Sequence, residues 1–222
     1  MKGCIGTMKQ SRISAEEAAY LYIKNKIINK ELRPAEQIVE MDVADASGIS
    51  RTSIRSAIRR LGYEGLLVVR PNRGAYVANP SLEELRDIFA CKRLLETEAI
   101  RLASHQITQI QLQQMEQLVN KSPQTFYEKN FSAFLALNKE FHMIIAQASQ
   151  NLCYIKYIDE LLTKSNVFLI FYDDFMLTSF DESDAHKEHC SILSALQQKN
   201  ENLCVDEMRR HSDSTYESLI IH

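Results

Sequence analysis

The sequence predicts a mainly α-helical protein in which a small winged helix-turn-helix precedes an all-helical bundle of six helices. Three observations predict this fold class. Residues 39–78 contain a helix, a glycine turn, a second helix and a β-hairpin, in that order. After residue 81 the apolar residues follow helical spacing and strand-like alternation is absent. The charge is also unevenly divided, because residues 1–80 hold 13 Lys and Arg against 8 Asp and Glu, whereas the rest of the chain holds 13 against 21.

Length and composition exclude several classes of protein. The chain of 222 residues has room for one large or two small domains. The longest strongly apolar run, Val167 to Tyr172, is too short to cross a bilayer, and residues 1–10 lack the apolar segment of a signal peptide. The five cysteines form no CxxC pair, which favours reduced thiols. We therefore expect a cytoplasmic protein with no membrane partner.

The chain is expected to divide near Pro80. Proline disfavours helix in the residue before it. Ser81 then begins a helix, and Glu84 completes a capping box with it. The expected parts are a flexible N-terminus (1–11), a DNA-binding head (12–79) and a helical effector-binding body (80–222). The helices of the body are expected to break near Ile107, Ser122-Pro123, Gln150-Asn151, Ser179 and Asn200.

The head contains a candidate DNA-reading helix. A short helix ends at Gly48, and Ser50 caps the next one. Apolar residues at helical spacing define the buried side of that second helix. Its outward side carries Arg51, Thr52, Ser53, Arg55 and Arg59. Arginine can hydrogen-bond guanine through two donors, and small hydroxyl residues reach base edges without bulk, so this pattern suits insertion into the major groove of a duplex.

The following residues, LLVVR-PNRG-AYVA, predict a β-hairpin with a cationic tip. Behind a helix-turn-helix such a hairpin is a wing, which places Arg73 and Gly74 close to the DNA backbone or minor groove. Two alternatives remain open at this point. The arginines could be the solvated side of an ordinary basic helix, or the winged helix could contact another protein.

Polar residues on apolar helix stripes indicate a site in the body. His142, His189 and His211 each fall on the apolar face of a different predicted helix, and Asn138 lies one turn before His142. Burial of three imidazoles is costly unless something satisfies them. A divalent metal would do so, and the nitrogen-rich ligand set favours Zn²⁺ or Ni²⁺. The rival hypothesis is a metal-free pocket in which the histidines hold an effector directly.

The first helix of the body carries an unusual ion pair. Lys92 and Glu96 lie four residues apart on the same stripe as the apolar residues. A surface bridge of this kind is worth little, but in a bundle interior it is expected to face a polar pocket. We therefore predict that Lys92 and Glu96 border a polar pocket.

The segment ISRTSIRSAIRRLGYEGLLVVRPNRGAYV resembles the winged helix-turn-helix of the GntR family of transcriptional regulators, and the rest resembles its subfamily with an FCD-type (FadR-like) domain. The resemblance implies a homodimer on a palindromic operator, controlled by a small carboxylate effector. It assigns DNA contacts to Arg51, Thr52, Ser53 and Arg55. It also implies a metal set of Asn138, His142, His189 and His211, although the family typically has Asp at the first of these positions. The family commonly places Arg where Lys92 stands, and that residue helps to bind the effector carboxylate. The resemblance therefore implies Lys92 and Glu96 as effector-binding residues, with Arg93 as a substitute for Lys92.

The sequence thus favours a DNA-binding regulator, acting as repressor or activator, over an enzyme. The alternative is a metal-dependent enzyme domain fused to a winged helix, since clustered histidines could activate a water molecule. Against this alternative, no Glu or Asp accompanies the stripes of His142, His189 and His211 as a catalytic base.

Overall fold

A computed structural model describes residues 13–220, so the predicted flexible N-terminus (1–11) lies outside the described residues. The described chain divides after Ala78 into two compact units. Its helices are α1 (Ala15–Ile28), α2 (Glu40–Ser47), α3 (Arg51–Tyr63), α4 (Leu82–Gln106), α5 (Gln109–Tyr127), α6 (Phe131–Ala148), α7 (Leu152–Tyr172), α8 (Asp184–Gln197) and α9 (Glu201–Ile220). Its strands are β1 (Gln37–Ile38), β2 (Leu67–Arg70) and β3 (Gly74–Val77).

The first unit contains the predicted helix-turn-helix. Helix α2 ends at Gly48, whose φ of 69° lies in the left-handed region that glycine adopts without strain. Helix α3 begins after Ser50, whose hydroxyl accepts a hydrogen bond from the backbone N–H of Ser53. Its buried face consists of Ile54, Ala57, Ile58 and Leu61. The turn, the cap and the core stripe of this motif are therefore confirmed.

The wing is a three-stranded antiparallel sheet in the order β1-β3-β2. The predicted hairpin pairs β2 with β3, so that Arg70 lies opposite Gly74. Strand β1 adds Gln37 opposite Tyr76 on the other edge of β3. Strand β1 was not predicted, because a strand of two residues is too short to show alternation in the sequence.

The second unit is the predicted bundle of six helices, α4 to α9. Helix α4 begins with the expected capping box between Ser81 and Glu84. The core between the helices is filled by fully buried side chains such as Ile100, Met115, Phe141 and Ile192. None of the described helices has the length and apolar character that a bilayer-spanning segment needs.

One predicted helix break is wrong. Helix α5 continues through Ser122 and Pro123, and the chain turns only after Tyr127. A proline inside a helix removes one backbone hydrogen bond and is normally destabilising. Here the final turn is stabilised because Ser122, Thr125 and Phe126 are all buried, and the hydroxyl of Thr125 donates to the carbonyl of Ser122 at 2.7 Å. Burial by neighbouring helices has therefore overridden the local signal.

Candidate functional site

The outward face of α3 presents cations to solvent. The side chains of Arg51 and Arg55 are 61% and 57% exposed. Thr52 and Arg59 are also exposed, whereas Ser53 is half-buried and its hydroxyl lies 2.9 Å from that of Ser50. Four of the five predicted residues on this helix are thus accessible to a duplex. Ser53, which is half-buried, also helps to cap the helix N-terminus.

Glu40, at the start of α2, holds the guanidinium of Arg55. The Nε and Nη2 atoms of Arg55 donate to its two carboxylate oxygens at 3.0 and 2.8 Å. Arg51 approaches the same carboxylate at 3.9 Å. The hydrogen bonds from Arg55 lower the pKa of Glu40, so the carboxylate stays ionised. Glu40 therefore orients the cationic face of α3, a role that the sequence analysis did not assign to it.

The wing tip is tied to the rest of the sheet. Both Arg73 and Gly74 are exposed. The carbonyl of Arg73 accepts hydrogen bonds from the side-chain amide of Gln37 at 3.2 Å and from the hydroxyl of Tyr76 at 3.0 Å. Gly74 has a φ of 92°, which only glycine adopts readily. The turn that presents Arg73 consequently depends on the residue that follows it.

Replacement of Gly74 by alanine is expected to destabilise the wing. A Cβ there would lie 3.3 Å from Nε2 of Gln37, in addition to the strain of the positive φ. We expect a loss of about 1 kcal/mol or more in the free energy of unfolding, measured by urea titration. Gly48→Ala is the matched control, because φ is positive there too but no atom lies within 4 Å of the added Cβ. An equal loss in both variants would show that the contact with Gln37 is irrelevant.

In the second unit, three buried imidazoles converge. His142 from α6, His189 from α8 and His211 from α9 each offer a ring nitrogen, and these atoms lie within 4.8 Å of one another. The Nε2 atoms of His142 and His211 are 3.2 Å apart. His189 stacks on Phe141 with 4.2 Å between ring centroids, and its own Nε2 is buried without a hydrogen-bond partner among residues 13–220.

Two buried carboxylates lie behind this cluster. Oε1 of Glu96 lies 2.9 Å from Nδ1 of His142, and Oε2 of Glu188 is hydrogen-bonded to Nδ1 of His211 at 2.7 Å. Metal-binding histidines commonly direct their second nitrogen at a carboxylate, which fixes the tautomer and makes the ligand nitrogen more basic. The imidazole of His211 is therefore oriented as that of a metal ligand usually is, whereas Nδ1 of His142 and Oε1 of Glu96 are within ion-pair distance without forming an aligned hydrogen bond.

The protonation of these rings fits a cation. Burial lowers the pKa of His142 to about 4 and lowers that of His189 well below its ordinary value, so both rings are neutral at pH 7. The Nε2 atoms of His142 and His211 lie 3.2 Å apart, and which of them carries a proton depends on the tautomers of the two rings. A cation between them would accept a lone pair from each Nε2 atom. Tetrahedral Zn–N bonds of about 2.1 Å place two ligand nitrogens roughly 3.4 Å apart, close to the spacing of His142 and His211.

A cavity of about 260 Å³ lies beside the cluster. His211, Asn138 and Lys92 are among its lining residues, and Asn138 also lines a small pocket that reaches His189. The aromatic side chains that line the cavity are Phe89, Phe126, Phe134 and Phe175. The acidic side chains that line it are Asp173, Asp174, Glu182, Asp184 and Glu188. The cavity thus joins the imidazole cluster to a wall that is aromatic and strongly acidic.

The structure separates the three predicted effector residues. Lys92 is only 4% exposed, lines the cavity and forms an ion pair of 2.7 Å with Glu96. Glu96 is not among the lining residues and lies between Lys92 and His142. Although burial opposes its ionisation, Lys92 and His142 hold the pKa of Glu96 below its ordinary value. Arg93 points elsewhere, with its Nε atom 2.7 Å from Asp213 on the bundle surface.

Glu188 was missed by the sequence analysis. It directly precedes His189, so helical spacing places it about 100° around α8 from that residue. The packing of α9 against α8 nevertheless brings His211 onto its carboxylate. Its position next to a predicted ligand, His189, is the only signal that the sequence offered.

The chain matches two family models. The first, the gntR family of bacterial regulatory proteins, covers residues 15–77, and the second, the FCD domain, covers residues 87–214. The transcriptional repressor RspR of Escherichia coli is 26% identical over 90% of this chain and 86% of its own length. The Nta operon transcriptional regulator of Aminobacter aminovorans is 24% identical over 87% of this chain and 89% of its own length.

Solved structures show the same fold. Escherichia coli McbR/YncC superposes with a TM-score of 0.71 at 20% identity, covering 93% of this chain and 97% of that one. A GntR-type regulator from Rhodococcus sp. RHA1 also gives 0.71, at 16% identity, covering 94% and 98%. Both the winged helix-turn-helix and the helical bundle are matched in these comparisons. The chain therefore belongs to the GntR family of bacterial transcriptional regulators and carries an FCD domain.

Proposed function

We propose that this protein is a homodimeric, cytoplasmic regulator that binds a palindromic operator and responds to a small carboxylate. The single observation that carries the proposal is the convergence of three buried imidazoles beside a cavity, in a chain that also has an exposed cationic recognition helix. The DNA-binding residues are proposed to be Arg51, Thr52, Ser53, Arg55, Arg59, Arg73 and Gly74. The arginines supply base and phosphate contacts, and the glycine permits close approach of the wing.

A divalent metal, Zn²⁺ or Ni²⁺, is proposed to bind His142, His189 and His211, with Asn138 as a fourth ligand. A metal would satisfy Nε2 of His189, which has no partner among the described residues, and expansion beyond four ligands would provide a position for the effector. The inner ligands are all neutral. The negative charge that favours a cation instead comes from Glu96 and Glu188, which contact the outer nitrogens of two of the rings.

The charges of the cavity restrict the effector. Among the described residues that line it, Lys92 is the one with a Lys or Arg side chain, against five carboxylates. One carboxylate of a ligand can reach Lys92 and the metal, but further anionic groups would meet like charges. We therefore propose a monocarboxylate with hydroxyl or ammonium groups, which the acidic and hydroxyl side chains of the wall complement.

This function is tested by fluorescence anisotropy on a duplex that the protein itself selects from a random pool. With zinc present, we expect 2-hydroxy acids or amino acids to change the DNA affinity about tenfold or more, as allosteric coupling typically does, and citrate to have a smaller effect. Lys92→Met should bind the duplex but lose the response. If no monocarboxylate changed the affinity of the wild-type protein, the proposed switch would be wrong even though DNA binding stood.

The rival function, a metal-dependent enzyme, is disfavoured by two observations. Catalysis of hydrolysis at a metal needs a base that reaches a bound water. Glu96 contacts Nδ1 of His142 and does not line the cavity, and Glu188, which does line it, is already hydrogen-bonded to Nδ1 of His211. The relatives are transcriptional regulators, too. We accordingly propose that the cluster senses and does not catalyse.

A further inference from the structure

We propose that Glu96 couples the effector cavity to the imidazole cluster, because Lys92 in the cavity wall and His142 in the cluster compete for this one buried carboxylate. The inference rests on the proposed metal site and adds a mechanism of regulation to it. Glu96 is a positioning residue in this scheme, since it touches neither the cavity nor the proposed metal directly.

The geometry assigns one oxygen of Glu96 to each competitor. Oε2 lies 2.7 Å from Nζ of Lys92, and Oε1 lies 2.9 Å from Nδ1 of His142. All three side chains are nearly inaccessible, with 4% exposure for Lys92, 2% for Glu96 and 1% for His142. Because solvent is excluded, the single negative charge of Glu96 is not screened and both partners feel any change in its distribution.

This competition couples the binding of an anion at Lys92 to the binding of a metal at His142. When an anion in the cavity binds the ammonium of Lys92, the ion pair between Lys92 and Glu96 weakens. The carboxylate of Glu96 then polarises the Nδ1–H of His142 more strongly. A more polarised imidazole is a better donor through Nε2, so the affinity for a metal rises. Conversely, a cation at Nε2 makes Nδ1–H a stronger donor to Glu96, which leaves Lys92 more available to an anion. Linkage requires the two effects to be equal.

The coupling can be measured with zinc alone, because Lys92→Met imitates complete withdrawal of the ammonium. Zinc affinity is determined by competition with a chromophoric chelator in the wild type, Lys92→Met, Glu96→Gln and the double variant. We expect Glu96→Gln to weaken zinc binding roughly ten- to a hundredfold, as loss of an orienting carboxylate does elsewhere. Lys92→Met should strengthen binding about tenfold when Glu96 is present but only about twofold when Gln replaces it, since neighbours that interact are not additive.

The twofold effect of Lys92→Met on zinc affinity in the Glu96→Gln background is attributed to loss of direct repulsion between Lys92 and the metal. This repulsion is also present when Glu96 is retained. Arg93→Met is the matched control: it removes a cation from the same helix, but one that is exposed and paired with Asp213, so zinc affinity should not change. Thermal melting supplies a second readout. Apo Lys92→Met should melt lower than the apo wild type and gain more from zinc, because Glu96 has lost its cation.

The outcomes separate the two proposals. Equal effects of Lys92→Met in both backgrounds would overturn the coupling while leaving the metal site in place. Failure of the wild-type protein to bind zinc or nickel would overturn the metal site and the coupling together. If Lys92→Met does not fold, as judged by circular dichroism, the same cycle is run with Lys92→Gln, which retains a polar side chain.

Discussion

Alanine in place of both Arg51 and Arg55 is expected to abolish sequence-specific DNA binding and to leave the fold intact. Both side chains are more than half exposed on α3, and neither belongs to the core of the head. A base-contacting arginine is worth roughly ten- to a hundredfold in affinity, so the double variant should lose at least a hundredfold on the selected duplex. The salt dependence should weaken by roughly 0.9 in slope for each phosphate contact that is lost.

Anisotropy titrations at several salt concentrations measure both quantities. The control replaces exposed Arg86 and half-buried Arg101, two arginines of α4 that are paired with acidic residues of the same helix. It removes the same formal charge from the chain but should leave affinity and salt slope nearly unchanged. If the Arg51 and Arg55 variant kept the wild-type values, the winged helix would have to serve a protein partner instead of a duplex.

Removal of the His189 imidazole is expected to eliminate stabilisation by zinc. A ligand present at a hundred times its Kd raises the free energy of unfolding by about 2.7 kcal/mol, and His189→Ala should lose most of this increment. The reason is that Nε2 of His189 has no partner within the described residues and a metal would satisfy it. The increment is measured by urea unfolding with zinc and with a chelator.

The difference between the two conditions is the informative quantity. Alanine also removes the stacking of His189 on Phe141, which lowers the stability of the metal-free protein by itself. His105→Ala is the control, because His105 is an exposed imidazole paired with Glu201, away from the cluster. It should retain the full zinc increment. A His189→Ala protein that zinc stabilised as strongly as the wild type would show that this ring is not a ligand.

Local sequence signals were sufficient to predict most of the fold. Gly48 ends one helix through its backbone freedom and Ser50 begins the next by capping it, and both effects act within a few residues. The convergence of His142, His189 and His211 was also predictable. Each lies at helical spacing within an apolar stripe, and the stripes of neighbouring helices must face the same core.

The partners of these residues were not predictable, because they depend on packing. Glu40 lies 15 residues before Arg55 and yet binds it. Glu188 lies off the stripe of α8, and the approach of α9 brings His211 to it. Neutral Asn138 suggested a site poorer in negative charge than those of the family. In the folded protein Glu96 and Glu188 contact the Nδ1 atoms of His142 and His211 and supply negative charge to the site. The spacing of residues along the chain could not predict these contacts.

The imidazole cluster takes its members from three helices, α6, α8 and α9, and Glu96 adds α4, so that the set extends from residue 96 to residue 211. An ion there would act as a cross-link that closes long segments of polypeptide, and such closure restricts the unfolded chain far more than the folded one. A shortage of the ion would then affect the regulator in two ways. Besides altering how effectors are sensed, it would shorten the lifetime of the regulator, since small losses in stability expose proteins to proteases.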